Sequence, residues 1–163
     1  MTIILKNKHT LIYKDFEFKC SIGLNGLSRQ KKEGDRKTPI GTFSLGPLYY
    51  RSDRYIKPET KLKIVKIEKK MGWCDDPNHK KYNQLVNDIK RIKCEKLFRK
   101  DSKYDFLIPI NYNTSYVKKN KGSAIFIHLT KDYRETLGCI ALKKSDLLIL
   151  IKLIDNKTKI KII

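Results

Sequence analysis

Metal-binding spacing is missing from this sequence. Its four cysteines, Cys20, Cys74, Cys94 and Cys139, form no C-x-x-C pair, and none of its three histidines sits at finger spacing. That argues against a structural zinc site, and no metal or cofactor is expected. The even cysteine count permits disulfides without demanding them. No segment approaches the roughly 18 apolar residues of a membrane span. The first apolar run, Ile3 to Leu5, is interrupted at once by charge, so no secretory signal is expected. Repeats, linkers and low-complexity segments are absent as well. Acidic side chains are few: 17 Asp and Glu face 37 Lys and Arg, a formal charge of +20.

That charge has two readings. A basic surface concentrates on nucleic acid, anionic lipid or an acidic polymer such as a cell wall. Alternatively, a Lys-, Ile- and Asn-rich composition simply scatters solvated lysines over the surface, and the lysines here occur in every segment. Apolar residues make up 40% and charged residues 33%, a globular mixture and not a disordered one. A chain of 163 residues is most simply one domain, residues 1–163, large enough to fold without a disulfide or metal.

Short β-type runs dominate: TIIL, TLIYK, FEFKCSIG, GTFSLGPLYY, LKIVKI, YDFLIPINY and SAIFIHL. They are rich in Ile, Val, Tyr and Phe, with Gly, Pro, Asn or Asp between them. Cys20 lies in one such run and reads as a small buried hydrophobe. The terminal KTKIKII alternates and reads as a last strand, an edge guarded by lysines. A helix is expected over LLILIKLI, capped by Ser145 and Asp146 and stopped at Asp155 and Asn156. A second, weaker helical stretch spans Asn83 to Phe98. The order predicts a mostly β fold, a sandwich or barrel, with peripheral helices.

The chemistry concentrates in IFIHLTKDYRETLGCIAL, Ile125 to Leu142. His128 closes a strand, where a rigid scaffold can aim a side chain into a cleft. A polar loop leads to Gly138 and Cys139. A glycine before a cysteine allows a sharp turn, which can leave the backbone N–H groups of Leu137 to Cys139 pointing at an oxyanion. A thiol beside an imidazole makes a nucleophile–base pair for acyl transfer. The bland alternative is a buried structural cysteine and a hydrogen-bonded histidine. A working His128 also needs an orienting partner on its second nitrogen, and either a backbone carbonyl or a side chain would serve.

Together with the earlier KKEGDRKTPIGTF, these residues resemble the L,D-transpeptidase (YkuD-type) catalytic domain. The matching positions are Gly34, Asp35, Thr38, Pro39, Gly41 and Phe43, then His128, Thr136, Gly138 and Cys139. GWCDDPNHKKYNQLV and YDFLIPINYN also resemble a short subgroup of that family. The chain departs in two ways. Its His-to-Cys loop is shorter than usual. Leu137 precedes Gly-Cys where the family has His, and Ile140 and Ala141 follow where it has Arg or Asn. Arg134, in the short loop, is the candidate replacement charge.

The resemblance implies an L,D-transpeptidase-like β-sandwich acting on peptidoglycan stem peptides. Cys139 would attack an amide between an L-centre and a D-residue, with His128 shuttling the proton. The N–H groups of Gly138 and Cys139 would hold the oxyanion, and a thioester would pass to an amine. Water in place of that amine gives an L,D-carboxypeptidase or endopeptidase. A third reading is a non-catalytic basic domain that binds an anionic polymer. The family reading places Tyr82, Asn83 and Trp73 at the cleft wall as substrate-binding candidates. Cys74 with His79 is a rival pair, on a polar loop without the strand-end and turn context. The implied location is periplasm or cell envelope. A monomer is expected, with no nucleic-acid partner.

Overall fold

A computed structural model describes residues 1–163. The chain starts with a meander of β1 (Thr2–Lys6), β2 (Thr10–Tyr13) and β3 (Phe16–Ser21). Two short strands, β4 (Leu27–Ser28) and β5 (Thr38–Pro39), pair in parallel in the following loop. β6 (Gly41–Ser44), β7 (Leu48–Tyr50) and β8 (Ile64–Lys66) come next. A separate three-stranded sheet holds β9 (Gly72–Cys74), β10 (Leu85–Val86) and β11 (Cys94–Lys96). The chain then runs through β12 (Phe106–Pro109), β13 (Phe126–Leu129), β14 (Ile140–Leu142), helix α1 (Lys144–Leu153) and β15 (Lys159–Ile162). The large sheet has the order β6-β15-β1-β2-β3-β14-β13-β12-β7-β8.

Strand outweighs helix, 36% to 6% of residues, so the fold is mostly β and curls as a half-barrel. It has one helix, where the sequence suggests more. Residues 83–98 contain no helix. Asn83 takes a left-handed φ of 57°, which a helix cannot absorb, and Asp88 turns the chain before β11. The α1 start also differs from expectation. Its cap position is Lys143, with no side-chain cap, and Ser145 lies inside the first turn bonded to Asp146 at 3.2 Å. The terminal strand is not an edge: β15 lies between β6 and β1, antiparallel to the first and parallel to the second. Its alternation buries Ile160 and Ile162 and exposes both lysines, which fixes a face but says nothing about neighbours.

The centre of the large sheet is buried on both faces, and strand parity sorts its side chains. On β13, Ile127 and Leu129 join the main core beside α1, while Phe126 turns to a second cluster with Trp73, Leu97 and Tyr104. On β7 and β12, Tyr49 and Leu107 join that second cluster, and Leu48, Tyr50, Phe106 and Ile108 face the main core. The three-stranded sheet therefore covers one face of the large sheet.

Ile160 is fully buried within β15, so Ile160→Ala should cost about 2–5 kcal/mol of unfolding free energy. Lys161→Ala, on the exposed face of the same strand, should change it by less than about 0.5 kcal/mol. Urea denaturation measures both.

Candidate active site

Parity and register bring His128 and Cys139 to one face. β13 and β14 run parallel with Ile127 beside Ile140 and His128 beside Ala141. Continuing that register by one residue sets Cys139 beside Phe126, and Cys139 packs in the same cluster as Phe126. His128 is two residues along from Phe126, hence on the same side. Both residues line one cavity of about 1040 Å³.

The His128 ring is fixed by its own strand and by an aromatic neighbour. Its Nδ1 lies 2.9 Å from the Leu129 carbonyl oxygen. A carbonyl only accepts, so Nδ1 carries the proton and Nε2 presents a lone pair. The orienting partner is thus backbone. Tyr104 meets the ring edge-on at 5.4 Å, and its hydroxyl donates to Glu95 at 2.7 Å. Burial pushes the imidazole pKa down to about 4, against the Leu129 bond and helped by Lys103 and Arg99.

The Cys139 thiol is held by two backbone groups. It donates to the Ala124 carbonyl and accepts from the Phe126 N–H, each at 3.3 Å. Burial pushes its pKa up to about 12; the Phe126 N–H and Lys31 oppose that, and Glu95 adds to it. The resting pair is therefore a neutral thiol and a neutral imidazole.

The turn before the thiol depends on two threonines. Thr136 Oγ accepts the Gly138 N–H at 3.0 Å and donates to the Cys139 carbonyl at 2.7 Å. Thr38 Oγ donates to the Gly138 carbonyl at 2.8 Å and accepts the Gly23 N–H at 2.9 Å. Gly138 has φ 137°, and a Cβ there would lie 2.9 Å from the Lys37 carbonyl oxygen, so only glycine fits. The expected oxyanion donors are reduced by this arrangement. The Gly138 N–H is already engaged by Thr136, whereas the Cys139 N–H has no acceptor within the chain.

Lys31 is the cation that sequence reasoning missed. Its side chain is 3% exposed and its Nζ pairs with Asp35 at 2.7 Å. The same Nζ lies 3.5 Å from where a Gly138 Cβ would sit, so a buried ammonium flanks the Gly-Cys turn. Asp35 also accepts the N–H groups of Lys32 and Lys37. Burial alone would raise the Asp35 pKa, but Lys31 and these two N–H groups bring it below the ordinary carboxylate value. One signal was available: Lys31 opens the KKEGD motif. Among 37 basic residues, only tertiary burial singles it out.

The other candidates are engaged elsewhere. Trp73 donates its indole N–H to Asn83 at 2.9 Å. The Asn83 amide donates to the carbonyls of Tyr112 and Asn113 and also accepts from the Ala124 N–H. Tyr82 donates to Glu33, which also binds the Ser123 hydroxyl, and accepts from the Gly122 N–H. All three are buried behind the cleft and absent from its lining. They brace the wall through internal hydrogen bonds. Arg134 stands at the mouth, its side chain 87% exposed and paired with Asp132. Cys74 and His79 lie outside the cavity lining, which draws further cations, Arg99, Lys100, Lys103 and Lys131, to the His128 end. No cluster of three or more His, Cys, Asp or Glu side chains could hold a metal ion, and no helix is long and apolar enough to cross a membrane.

A family model for the L,D-transpeptidase catalytic domain (YkuD) matches residues 1–162. No curated protein gives a significant match. Two solved structures share the fold. One is the helical cell shape determining protein Pgp2 from Campylobacter jejuni, 21% identical, with a TM-score of 0.54. The other is Bdellovibrio bacteriovorus Bd1075, 16% identical, with a TM-score of 0.53. Each alignment covers 99% of this chain but only 46% and 47% of the other, so this chain spans about half their length.

The buried His128 gives a signed pH dependence. Its folded pKa of about 4 lies below the unfolded value of 6.5, so the unfolded chain binds the extra proton between those values. Stability from this group is complete above pH 6.5 and is lost as pH falls toward 4, by up to about 1.4 kcal/mol per pH unit. Chemical denaturation across pH 4–7 should show that slope, and His128→Gln should flatten it. Cys139 should alkylate slowly with iodoacetamide at pH 7 and faster as pH rises toward its raised pKa.

Proposed function

Because this chain belongs to the L,D-transpeptidase catalytic domain family, we propose that it is a peptidoglycan-modifying acyltransferase with Cys139 as nucleophile and His128 as base. One observation carries the reading. A thiol and an imidazole with a free Nε2 share one face of neighbouring parallel strands, in a cleft that also holds a buried ammonium. Residues 1–163 act as one catalytic unit, and the reaction needs no cofactor.

The neutral resting pair sets the order of events. The thiol keeps its proton until a carbonyl is in reach, and His128 Nε2 takes that proton as Sγ attacks. The substrate bond is an amide between an L-centre and a D-residue of a stem peptide. The Cys139 N–H donates to the oxyanion. As the C–N bond breaks, Nε2–H returns the proton to the departing amine and a thioester remains on Cys139. An amine from a second stem then attacks the thioester, gives its proton to Nε2, and restores the thiol. If water attacks instead, the same site trims stems as a carboxypeptidase or endopeptidase. Lys31 supplies fixed positive charge beside the reacting carbonyl, the role otherwise sought from Arg134. Lys100, Lys103 and Lys131 favour anionic stem peptides at the cleft mouth. Such a substrate sets the site of action in the cell envelope. The Campylobacter jejuni protein of like fold is named for helical cell shape, and a role for this chain in shaping the wall accords with that name.

The test is incubation with disaccharide-tetrapeptide muropeptides, with products and intact protein followed by mass spectrometry. Dimers formed with loss of one terminal D-residue, and an acyl adduct on Cys139 absent from Cys139→Ala, are the expected results. Loss of the D-residue without dimers assigns hydrolysis. The absence of both product and adduct refutes the enzyme reading and leaves the basic surface as the functional feature. Among variants, Lys31→Ala should lower kcat/KM by about 10-fold or more. Arg134→Ala, at an exposed ion pair, should stay within about three-fold.

A further inference from the structure

Away from the cleft, two cysteines face each other across the small sheet. β9 and β11 run antiparallel with Cys74 opposite Cys94. Directly opposed residues point to the same face, so the two thiols share one side. The hydrogen-bond ladder fixes the kind of rung. The Leu97 N–H donates to the Met71 carbonyl at 3.1 Å, so that rung is hydrogen-bonded. Alternation along the ladder then makes Trp73 with Glu95 a bonded rung and Cys74 with Cys94 a non-bonded one. Cys74 agrees: its N–H goes to the Gln84 carbonyl and its carbonyl accepts the Asn83 N–H, both toward β10. Non-bonded rungs bring Cα atoms to about 4.5 Å, within the roughly 4.4–6.8 Å that disulfides span.

The two thiols differ in access. Both are free, with Cys74 fully buried and Cys94 partly exposed. Cys94 Sγ lies only 2.4 Å from where a Gly72 Cβ would sit. The missing side chain at position 72 provides the space in which Cys94 Sγ rests, and a turn about χ1 is the motion that brings it to Cys74.

We propose that Cys74 and Cys94 are a disulfide-forming pair, closed by exchange with a small or protein disulfide. The Cys94 thiolate attacks one sulfur of the donor disulfide, whose other sulfur leaves as a thiol. The Cys74 thiolate then attacks Cys94 Sγ in the mixed disulfide and releases the second donor thiol. Two protons and two electrons pass from the protein thiols to the donor, which leaves fully reduced.

The link would act on the catalytic face. It lies one residue from Trp73, which packs edge-on against Phe126 at 5.3 Å. It lies equally close to Glu95, which holds the Tyr104 hydroxyl and through that ring the edge of His128. Joining β9 to β11 therefore clamps the small sheet where it backs the Cys139–His128 pair. This inference is independent of the peptidoglycan reading, because its test uses no substrate.

The test is incubation of the full chain with glutathione disulfide, alkylation of the remaining thiols, and non-reducing peptide mapping by mass spectrometry. The expected result is a Cys74–Cys94 linked peptide that dithiothreitol dissolves. A Tm rise of about 6–12 °C should accompany it and be absent from Cys94→Ser. Mapping is done on the unaltered sequence, so poor folding of a variant cannot obscure it. Glutathione left on Cys94, two cysteines that both still alkylate, or a link through Cys20 or Cys139 would each overturn the pairing. A formed link that leaves Tm unmoved would overturn the clamp.

Discussion

One buried hydroxyl ties the two halves of the cleft together. Thr38 lies at the second residue-pair strand of the long loop after the first meander, and Gly138 lies a hundred residues later. The Thr38 Oγ donates to the Gly138 carbonyl and accepts from the Gly23 N–H, so three distant segments meet at one atom. Thr38 is fully buried, so neither backbone group could turn to water if the hydroxyl were lost. Each unmade bond would cost about 1–3 kcal/mol. Thr136 holds the same turn from the other side. With Gly138 fixed in a conformation only glycine tolerates, the Cys139 backbone is committed before its side chain is considered.

The electrostatics build on that frame. Burial opposes charge on both Cys139 and His128, which keeps the thiol protonated and the imidazole neutral. Around them the cleft is crowded with charges of both signs, many already paired: Arg54 with Asp105, Arg99 with Asp101, Lys31 with Asp35. In the proposed mechanism, a neutral pair inside a charged rim would delay thiolate formation until a substrate carbonyl is present. The small sheet adds rigidity from behind, through Trp73 on Phe126 and Glu95 on Tyr104.

Much of the strand content was legible because period-two patterns and turn residues are local signals. That His128 and Cys139 would line one cleft was legible mainly from the order of the motifs that resemble the family, because the strand-end histidine and the Gly-Cys turn alone left a structural cysteine and histidine open. Neighbour relations were not. Lys159 and Lys161 alternate as an edge strand would, yet β15 is interior because α1 returns the chain parallel to β1. Residues 83–98 carry enough apolar positions for a helix, but left-handed Asn83 blocks its start and the Asp88 turn splits the rest into β10 and β11. Tyr82 and Asn83 looked available for a ligand because their internal partners, Glu33 and the backbone near 112 and 124, are far away in sequence, and Trp73 is tied in through Asn83. Lys31 was hidden by the opposite effect: one lysine among many, distinguished only by what buries it.

The role of Thr38 is decided by the rate of Cys139 acylation in Thr38→Ser and Thr38→Val, read by quenched intact-protein mass spectrometry with a tetrapeptide muropeptide. Serine keeps the hydroxyl and should acylate within about three-fold of the unaltered protein. Valine keeps the shape but leaves the Gly138 carbonyl and the Gly23 N–H unpaired. It should remain folded at the assay temperature and acylate about 100-fold more slowly, the penalty for a misaimed nucleophile. A folded valine variant that acylates at the unaltered rate would show that the Gly-Cys turn does not depend on Thr38.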